Sequence, residues 1–443
     1  MIWTILNSPS KPLTSENGPS DRWWILTFVA FAYFILVLHR KLVFYVQVPL
    51  IEELTLTDTE LGWLDTVFIV PYGISQLFVS YLSDRFRRRT VLMYSMALSA
   101  GGLAVMGLVR NFEELLSLRI ILGFAQAASV PAIAGVLADC FTHENRSRAI
   151  AIYNISLNLA YIVAGKFGGR LADMHPIDLP PGFVSTSLSG WRVAMLCFAF
   201  LGILWALAIC LFMREPERTE RDPNHGLGTE GASLWQTLCY VLAVPSFWVL
   251  AIVFILVCIV ANGQDVWLVR YFTDNFEMNN EEAGQFSTVW KFPFTIVGLI
   301  LGGVLADRWA QRWRSGRTLV QVIGMVIWVP SIYFLCTSDS ENVARMAMIV
   351  VGFGYGLYLA NLWTTTFEVI DPAARSTAVG MLNVIGVAAA PAAPVVGILN
   401  DRQILDIGGS LAGMSLFAAI IVTLLLLNVT VFLRHDYRGP LAK

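Results

Sequence analysis

Ser80-Tyr81-Leu82-Ser83-Asp84-Arg85-Phe86-Arg87-Arg88-Arg89 is a short, strongly basic stretch wedged between two apolar ones, 59–83 and 88–109. It has an echo. Gly303-Val304-Leu305-Ala306-Asp307-Arg308-Trp309-Ala310-Gln311-Arg312 stands between the apolar stretches 282–306 and 318–336, its aspartate 223 residues after the first. A second pair of motifs follows in the same order. Arg146-Ser147-Arg148-Ala149, then Asn154, returns as Arg375-Ser376-Thr377-Ala378, then Asn383, at an offset of 229. Two motifs repeated in order at nearly one offset mark the chain as two copies of one unit.

Outward from these loops the sequence is apolar. Of 443 residues, 56% are hydrophobic and 14% charged, and the mean hydropathy is +0.64. Soluble proteins carry about 25% charged residues. The composition therefore excludes a soluble globular enzyme, a disordered tail and a secreted disulfide scaffold. It fits a chain solvated by lipid. A helix needs about 20 apolar residues to cross a hydrocarbon core of about 30 Å. Twelve stretches qualify: 22–50, 59–83, 88–109, 113–140, 145–171, 190–213, 246–271, 282–306, 318–336, 343–368, 375–400 and 409–433. The expected fold class is an all-α membrane protein, with twelve transmembrane helices in two pseudo-symmetric six-helix bundles.

Loop charge orients the helices. With the N-terminus inside, the inner loops carry Arg85, Arg87, Arg88, Arg89, Arg146, Arg148, Arg214, Arg218, Arg221, Arg308, Arg312, Arg314, Arg317 and Arg375. The outer loops carry Arg110, Arg270, Arg345 and Arg402, and this asymmetry sets both termini in the cytoplasm. The expected organisation is a cytoplasmic segment 1–21, a bundle 22–213, a charged and then Gly/Ser-rich linker 214–245, a bundle 246–434 and a tail 435–443. The polar, Pro/Ser-rich start lacks the pattern of a cleavable signal, which points to a bacterial inner membrane. The six cysteines lie scattered without a CxxC pair and read as buried apolar residues. The net charge of −2 gives no general attraction to nucleic acid. No P-loop, HExxH or GxSxG motif occurs, so neither hydrolysis nor a cofactor or metal is expected, and the chain does not read as an enzyme.

The Asp-Arg-x-x-Arg-Arg loop of Asp84–Arg89, with its echo at Asp307, resembles the signature loop of the major facilitator superfamily across helices 1–12. The resemblance implies a secondary transporter working by alternating access. Two subfamilies are similar in detail. Leu38-His39-Arg40-Lys41, Val48-Pro49-Leu50-Ile51 and Tyr72-Gly73-Ile74-Ser75 resemble organophosphate:phosphate antiporters. Arg119, Gly123, Gln126, Pro131, Leu137-Ala138-Asp139 and Gly190-Trp191-Arg192 resemble anion:cation symporters of sugar acids. Both families move organic anions. The chain differs where the symporters place acids, at His39 and Gln126, and where the antiporters place a helix-7 arginine, at Ala261. The Arg146-Ser147-Arg148 segment also resembles spinster-type lipid transporters, whose helix-4 acid falls at Gln126 as well.

Ionisable side chains inside a membrane cost several kcal/mol, by order of magnitude, and mark candidate sites. Arg40 offers a planar fork suited to a carboxylate or phosphate, with Tyr33 on its face and Tyr72 on helix 2 beside Asp65. The alternative is a structural pair with Asp65. Lys41 faces elsewhere and is free to snorkel outward. Arg119 is expected to assist the anion or to snorkel to the interface. Asp65 and His39 are the candidates for proton coupling. In the second half Asn262, Gln264, Asp265 and Lys291 lie at the matching level, with an Asp265–Lys291 pair as the structural alternative. Asn154, Asn158 and Tyr161 form one polar stripe, and Tyr355, Tyr358 and Asn361 another. Each stripe reads equally as substrate lining and as interhelical glue. Asp84, Arg85, Arg88, Asp139, Asp307 and Arg308 are the expected latch of the inner side, with Asp139 facing Arg88. The substrate-binding set is thus Arg40, Arg119, Tyr33, Tyr72, Asn262, Asp265, Lys291, Tyr358 and Asn361.

The sequence therefore leads to a monomeric transporter of a small organic anion, a sugar acid or other carboxylate first and a sugar phosphate next. Its partners are the anion, protons and the bilayer. An exporter of amphipathic or lipid-like compounds, and a membrane receptor without flux, stay open as rivals.

Overall fold

The computed structural model of the chain describes residues 19–83, 86–141, 143–178, 187–215 and 234–437. Asp84 and Arg85 lie outside them. The long helices are α1 (Arg22–Phe44), α2 (Asp58–Ser83), α3 (Arg88–Met106), α4 (Phe112–Leu137), α5 (Arg148–Ala172), α6 (Gly190–Phe212), α7 (Pro245–Phe276), α8 (Asn280–Ala310), α9 (Gly316–Thr337), α10 (Glu341–Val369), α11 (Thr377–Asp401) and α12 (Ile407–Phe432). Eleven of these are long and apolar enough to cross a membrane. The remaining helix, α2, carries Asp58, Glu60 and Asp65 along its 26 residues. A two-residue hairpin, Ile177–Asp178 with Ser187–Leu188, joins α5 to α6.

The chain divides into two compact units: Met1–Leu56, Trp63–Glu220 and Asn279–Gln285 in one, Thr57–Gly62, Arg221–Met278 and Phe286–Lys443 in the other. In the first unit α1 packs on α5, and α3 on α4 and α6. In the second α7 packs on α11, and α9 on α10 and α12, so the pairing repeats.

Small residues set the closest seams. A Cβ on Gly356 would stand 2.3 Å from the Thr295 carbonyl oxygen, and one on Gly298 would stand 2.3 Å from that of Phe353. Side chains at either position would force α8 and α10 apart. In the first unit Gly123 of α4 meets the Phe68 carbonyl of α2 in the same way, and its repeat mate Gly352 meets that of Lys291. Helix α8 turns at Trp290–Lys291, because Pro293 has no N–H to return to the preceding turn. The Lys291 carbonyl is satisfied by the Thr295 amide at 2.9 Å and hydroxyl at 3.0 Å.

Two carboxylates cap helix starts whose first amides lack intrahelical partners. In the first unit Asp173 accepts from the amides of Asn280 at 3.3 Å and Glu281 at 2.8 Å. In the second Asp401 accepts from those of Asp58 at 3.2 Å and Thr59 at 2.8 Å.

Candidate functional site

The first unit gathers its buried polar groups at one level of α1. Arg40, in the last full turn of α1, is partly exposed. Its Nε and one Nη both donate to Gln126 Oε1 of α4, each at 3.3 Å. Its guanidinium lies 4.3 Å from the centre of the Tyr72 ring and 5.1 Å from that of Phe68, so aromatic faces stabilise the cation. Tyr33 stacks on Tyr153 beside it, with ring centres 4.3 Å apart. Among the described residues no carboxylate forms an ion pair with Arg40. The structural alternative of an Arg40–Asp65 pair is not what holds this side chain.

Arg119 differs from both sequence expectations. It is fully buried, so it neither snorkels nor presents an open fork. Nε donates to the Leu64 carbonyl and Nη1 to the Arg40 carbonyl, each at 2.9 Å, and the guanidinium lies over Phe44 and Phe68. Backbone oxygens satisfy Nε and Nη1, Nη2 has no hydrogen-bond partner among the described residues, and the result is a brace between α4, α2 and α1. Asp65, also buried, acts on it electrostatically. Lys41 does not snorkel either: it is buried with Nζ near the Phe44 and Tyr161 rings. His39 turns away from Arg40. Its Nδ1 is 3.0 Å from Ser99 Oγ of α3 and its Nε2 3.0 Å from the Phe198 carbonyl of α6.

In the second unit Lys291 Nζ is 3.3 Å from Asp265 Oδ1, the pair given above as the structural alternative. Asn262 is partly exposed on the same helix as Asp265. Tyr355 lies against Trp328 with ring centres 4.8 Å apart, and Tyr358 is buried. Asn361 donates to the Leu357 carbonyl at 3.3 Å and reaches that of Gly302 at 3.5 Å. That bonding makes Asn361 interhelical glue. Asn158 instead bonds within its own helix, donating to the Asn154 carbonyl of α5 at 2.9 Å.

Charge pairs fasten one end of each unit. Arg88 Nη2 is 3.2 Å from Asp139. Gly135, one turn before Asp139, leaves room for the guanidinium: a Cβ there would fall 1.5 Å from Arg88 Nη1. Glu215 caps α3 by accepting from the amides of Arg88 at 2.7 Å and Arg89 at 3.1 Å. In the second unit Asp307 pairs at 2.7 Å with Arg317, and Arg317 pairs at 3.0 Å with Glu368. The expected Arg308 is exposed, and Arg317 takes its place because it opens α9 beside Asp307. Sequence reasoning missed Glu215, Ser99, Arg317 and Glu368. Two of these were within reach: Arg88 and Asp139, advanced by the repeat offset of 229, become Arg317 and Glu368.

Beyond α1, Glu53 accepts from Ser189 Oγ, from Trp191 Nε1 at 2.6 Å and from Arg192 Nε at 2.8 Å. Partial burial alone would raise its pKa, but these hydrogen bonds outweigh it and hold the carboxyl below the usual glutamate value. Among the described residues no group of three His, Cys, Asp or Glu side chains could hold a metal ion.

Apolar crossing helices in two repeated units, with cations among aromatic rings inside the first and ion pairs at helix ends, define a multi-pass membrane transporter. The chain belongs to the Major Facilitator Superfamily, whose profile matches residues 29–394. It is therefore a secondary transporter and not an enzyme. It is 22% identical over 385 residues to Protein spinster of Drosophila melanogaster, spanning 84% of this chain and 60% of that protein's length. It is 23% identical over 403 residues to the hexuronate transporter of Escherichia coli K12, covering 86% and 88% of the two chains. A solved bacterial homologue of the human lysosomal transporter Spinster shares the fold with a TM-score of 0.82, at 20% identity, covering 96% of this chain and 100% of that one.

Proposed function

We propose that this secondary transporter moves a small organic anion, a sugar acid or another carboxylate first and a sugar phosphate next, with Arg40 as its principal contact. The observation that carries the reading is the state of Arg40. It is a partly exposed guanidinium held by a neutral amide and two aromatic rings, with no ion pair among the described residues. A permanent cation without a counterion is suited to an anion that arrives and leaves. The likeness to a hexuronate transporter supports the class. Tyr33 and Tyr72 supply hydroxyls beside the guanidinium, where a sugar acid carries its own. Arg119 acts as the brace behind Arg40. The Asp265–Lys291 pair and Asn262 form the polar patch of the second unit. Arg88 with Asp139, and Arg317 with Asp307 and Glu368, clamp the helix ends on the inner side, with Asp84, Arg85 and Arg308 in the same loops. The protein works as a monomer in a bacterial inner membrane, with both termini cytoplasmic.

The test is a thermal-shift panel on purified protein with D-glucuronate, D-galacturonate, other carboxylates, glucose 6-phosphate and lysophospholipid. A ligand at 100 times its Kd adds about 2.7 kcal/mol to the folded state. Stabilisation by one anion class, abolished in Arg40→Ala, is the expected result. Stabilisation by lysophospholipid alone would replace the organic-anion reading with that of an amphiphile exporter.

A further inference from the structure

Four hydrogen-bonded links run from Arg40 to the backbone of α6, and the chemistry of their two ends fixes the direction of each. Guanidinium only donates, so Gln126 must turn Oε1 toward Arg40 and its Nε2 toward Ser99, which it reaches at 2.9 Å. At the far end the Phe198 carbonyl only accepts, so His39 must carry its proton on Nε2. In a neutral imidazole Nδ1 is then an acceptor, and the Ser99 hydroxyl donates to it at 3.0 Å. Every bond therefore points the same way: Arg40 to Gln126, Gln126 to Ser99, Ser99 to His39, His39 to Phe198. Bonds aligned in this manner polarise one another. Gln126 and Ser99 are fully buried and His39 is 1% exposed, so no water competes for these links. Gly202 gives the imidazole its place, since a Cβ there would stand 2.4 Å from His39 Cε1. Protonating His39 would put a second donor on Nδ1 and reverse the Ser99 hydroxyl, so the chain is intact only with neutral histidine.

We propose that Gln126, Ser99 and His39 are positioning residues that aim the Arg40 guanidinium at the anion, and that a neutral amide at position 126, where a carboxylate would pair with it, lets Arg40 take its anion without a proton. The inference rests on the reading of Arg40 as the anion contact. A carboxylate at position 126 would neutralise Arg40 and would have to be protonated before an anion could bind. The amide holds the guanidinium in place and leaves its charge whole. The other charged groups packed near this chain do not alter that conclusion. Asp65 acts on Arg119, and Lys41 and Arg119 are themselves cations.

The experiment uses the full chain in detergent and measures D-glucuronate and D-galacturonate affinity at pH 6 and pH 8. It compares wild type, Ser99→Ala, Gln126→Glu and Arg40→Ala. Wild-type affinity is expected to agree within about twofold at the two pH values. Ser99→Ala removes one link and is expected to weaken binding about tenfold at both, the size of one lost hydrogen bond. Gln126→Glu is expected to bind at least about tenfold more weakly at pH 8 than at pH 6. A tenfold pH dependence in wild type, or unchanged affinity in Ser99→Ala, would overturn the proposal.

A second readout needs no ligand. With His143, His175, His225 and His435 changed to glutamine, ¹⁵N-histidine NMR sees His39 alone. The neutral Nε2–H tautomer at both pH values is expected, and an Nδ1–H tautomer or a cation at pH 6 refutes the chain. If neither uronate binds wild type while this tautomer is present, the relay stands and the uronate reading of the site falls instead.

Discussion

Removing Arg317 should cost far more than removing either acid it touches, and the reason lies in the unequal burial of its partners. The Asp307 side chain is 66% exposed, whereas that of Glu368 is 8% exposed and one of its oxygens has no hydrogen-bond partner among the described residues. Asp307→Ala breaks a solvated pair and should cost at most about 1 kcal/mol. Arg317→Ala strands a buried carboxylate, for which breaking a fully buried pair sets a ceiling of about 3–5 kcal/mol. Arg317 itself is 22% exposed, so about 3 kcal/mol is the expected loss. Adding Glu368→Ala removes the stranded charge, and the double variant should recover about 2 kcal/mol relative to Arg317→Ala. For a unit of this size 1 kcal/mol corresponds to roughly 2–4 °C in Tm. The order of melting in detergent should thus be wild type, Asp307→Ala close behind, then Arg317→Ala/Glu368→Ala, and Arg317→Ala last. Equal losses for Asp307→Ala and Arg317→Ala, or strictly additive effects in the double variant, would refute the assignment of Glu368 as the buried member of this network.

Arg119 and Arg40 should separate cleanly. Arg119→Ala removes two buried hydrogen bonds from a cation and the brace between α4, α2 and α1, and should lower the melting temperature by the equivalent of about 2–4 kcal/mol, while Arg40→Ala leaves only the Gln126 amide oxygen without its donor, should cost about 1–2 kcal/mol and should lose anion stabilisation. Gly356→Ala inserts a methyl group against the Thr295 carbonyl and should cost about 1–3 kcal/mol, read as a drop in Tm; an unchanged melt would mean α8 and α10 are not in contact there. Glu53 gives a pH dependence. Its folded pKa is depressed, so its contribution is present above the ordinary carboxylate value near 4.3 and is lost as pH falls through the folded value. Because Glu53 is partly exposed the effect is small, and Glu53→Gln should narrow the difference between melts at pH 7 and pH 3.5; an unaltered difference would mean Glu53 contributes nothing to it.

The helices were legible because lipid imposes long apolar runs, and the repeat was legible because charged loops recur at a fixed spacing. The Arg88–Asp139 contact and the Asp265–Lys291 alternative were readable from opposite charges at one depth. The destinations of long side chains were not. Arg119 sits on a helical face that sequence can name, yet its guanidinium curls back to the Leu64 and Arg40 carbonyls, a choice made by tertiary packing. His39 carries the charge pattern of a proton carrier, but Ser99 and Phe198, 60 and 159 residues away, claim its two nitrogens. Gln126 was visible only as the absence of an acid; its use as a two-ended connector requires knowing what stands on either side of it.

The Trp328–Tyr355 ring pair acquires a meaning from the same spacing that relates Arg88 to Arg317. Moved forward by 229 residues, Ser99 becomes Trp328 and Gln126 becomes Tyr355. Where the first unit has a hydroxyl and an amide in hydrogen-bond contact, the second has an indole and a phenol packed at a tilt of 35°. Trp328 is fully buried, so in the second unit these positions are held by ring packing, and substitutions there are expected to cost packing where their mates in the first unit would cost hydrogen bonds.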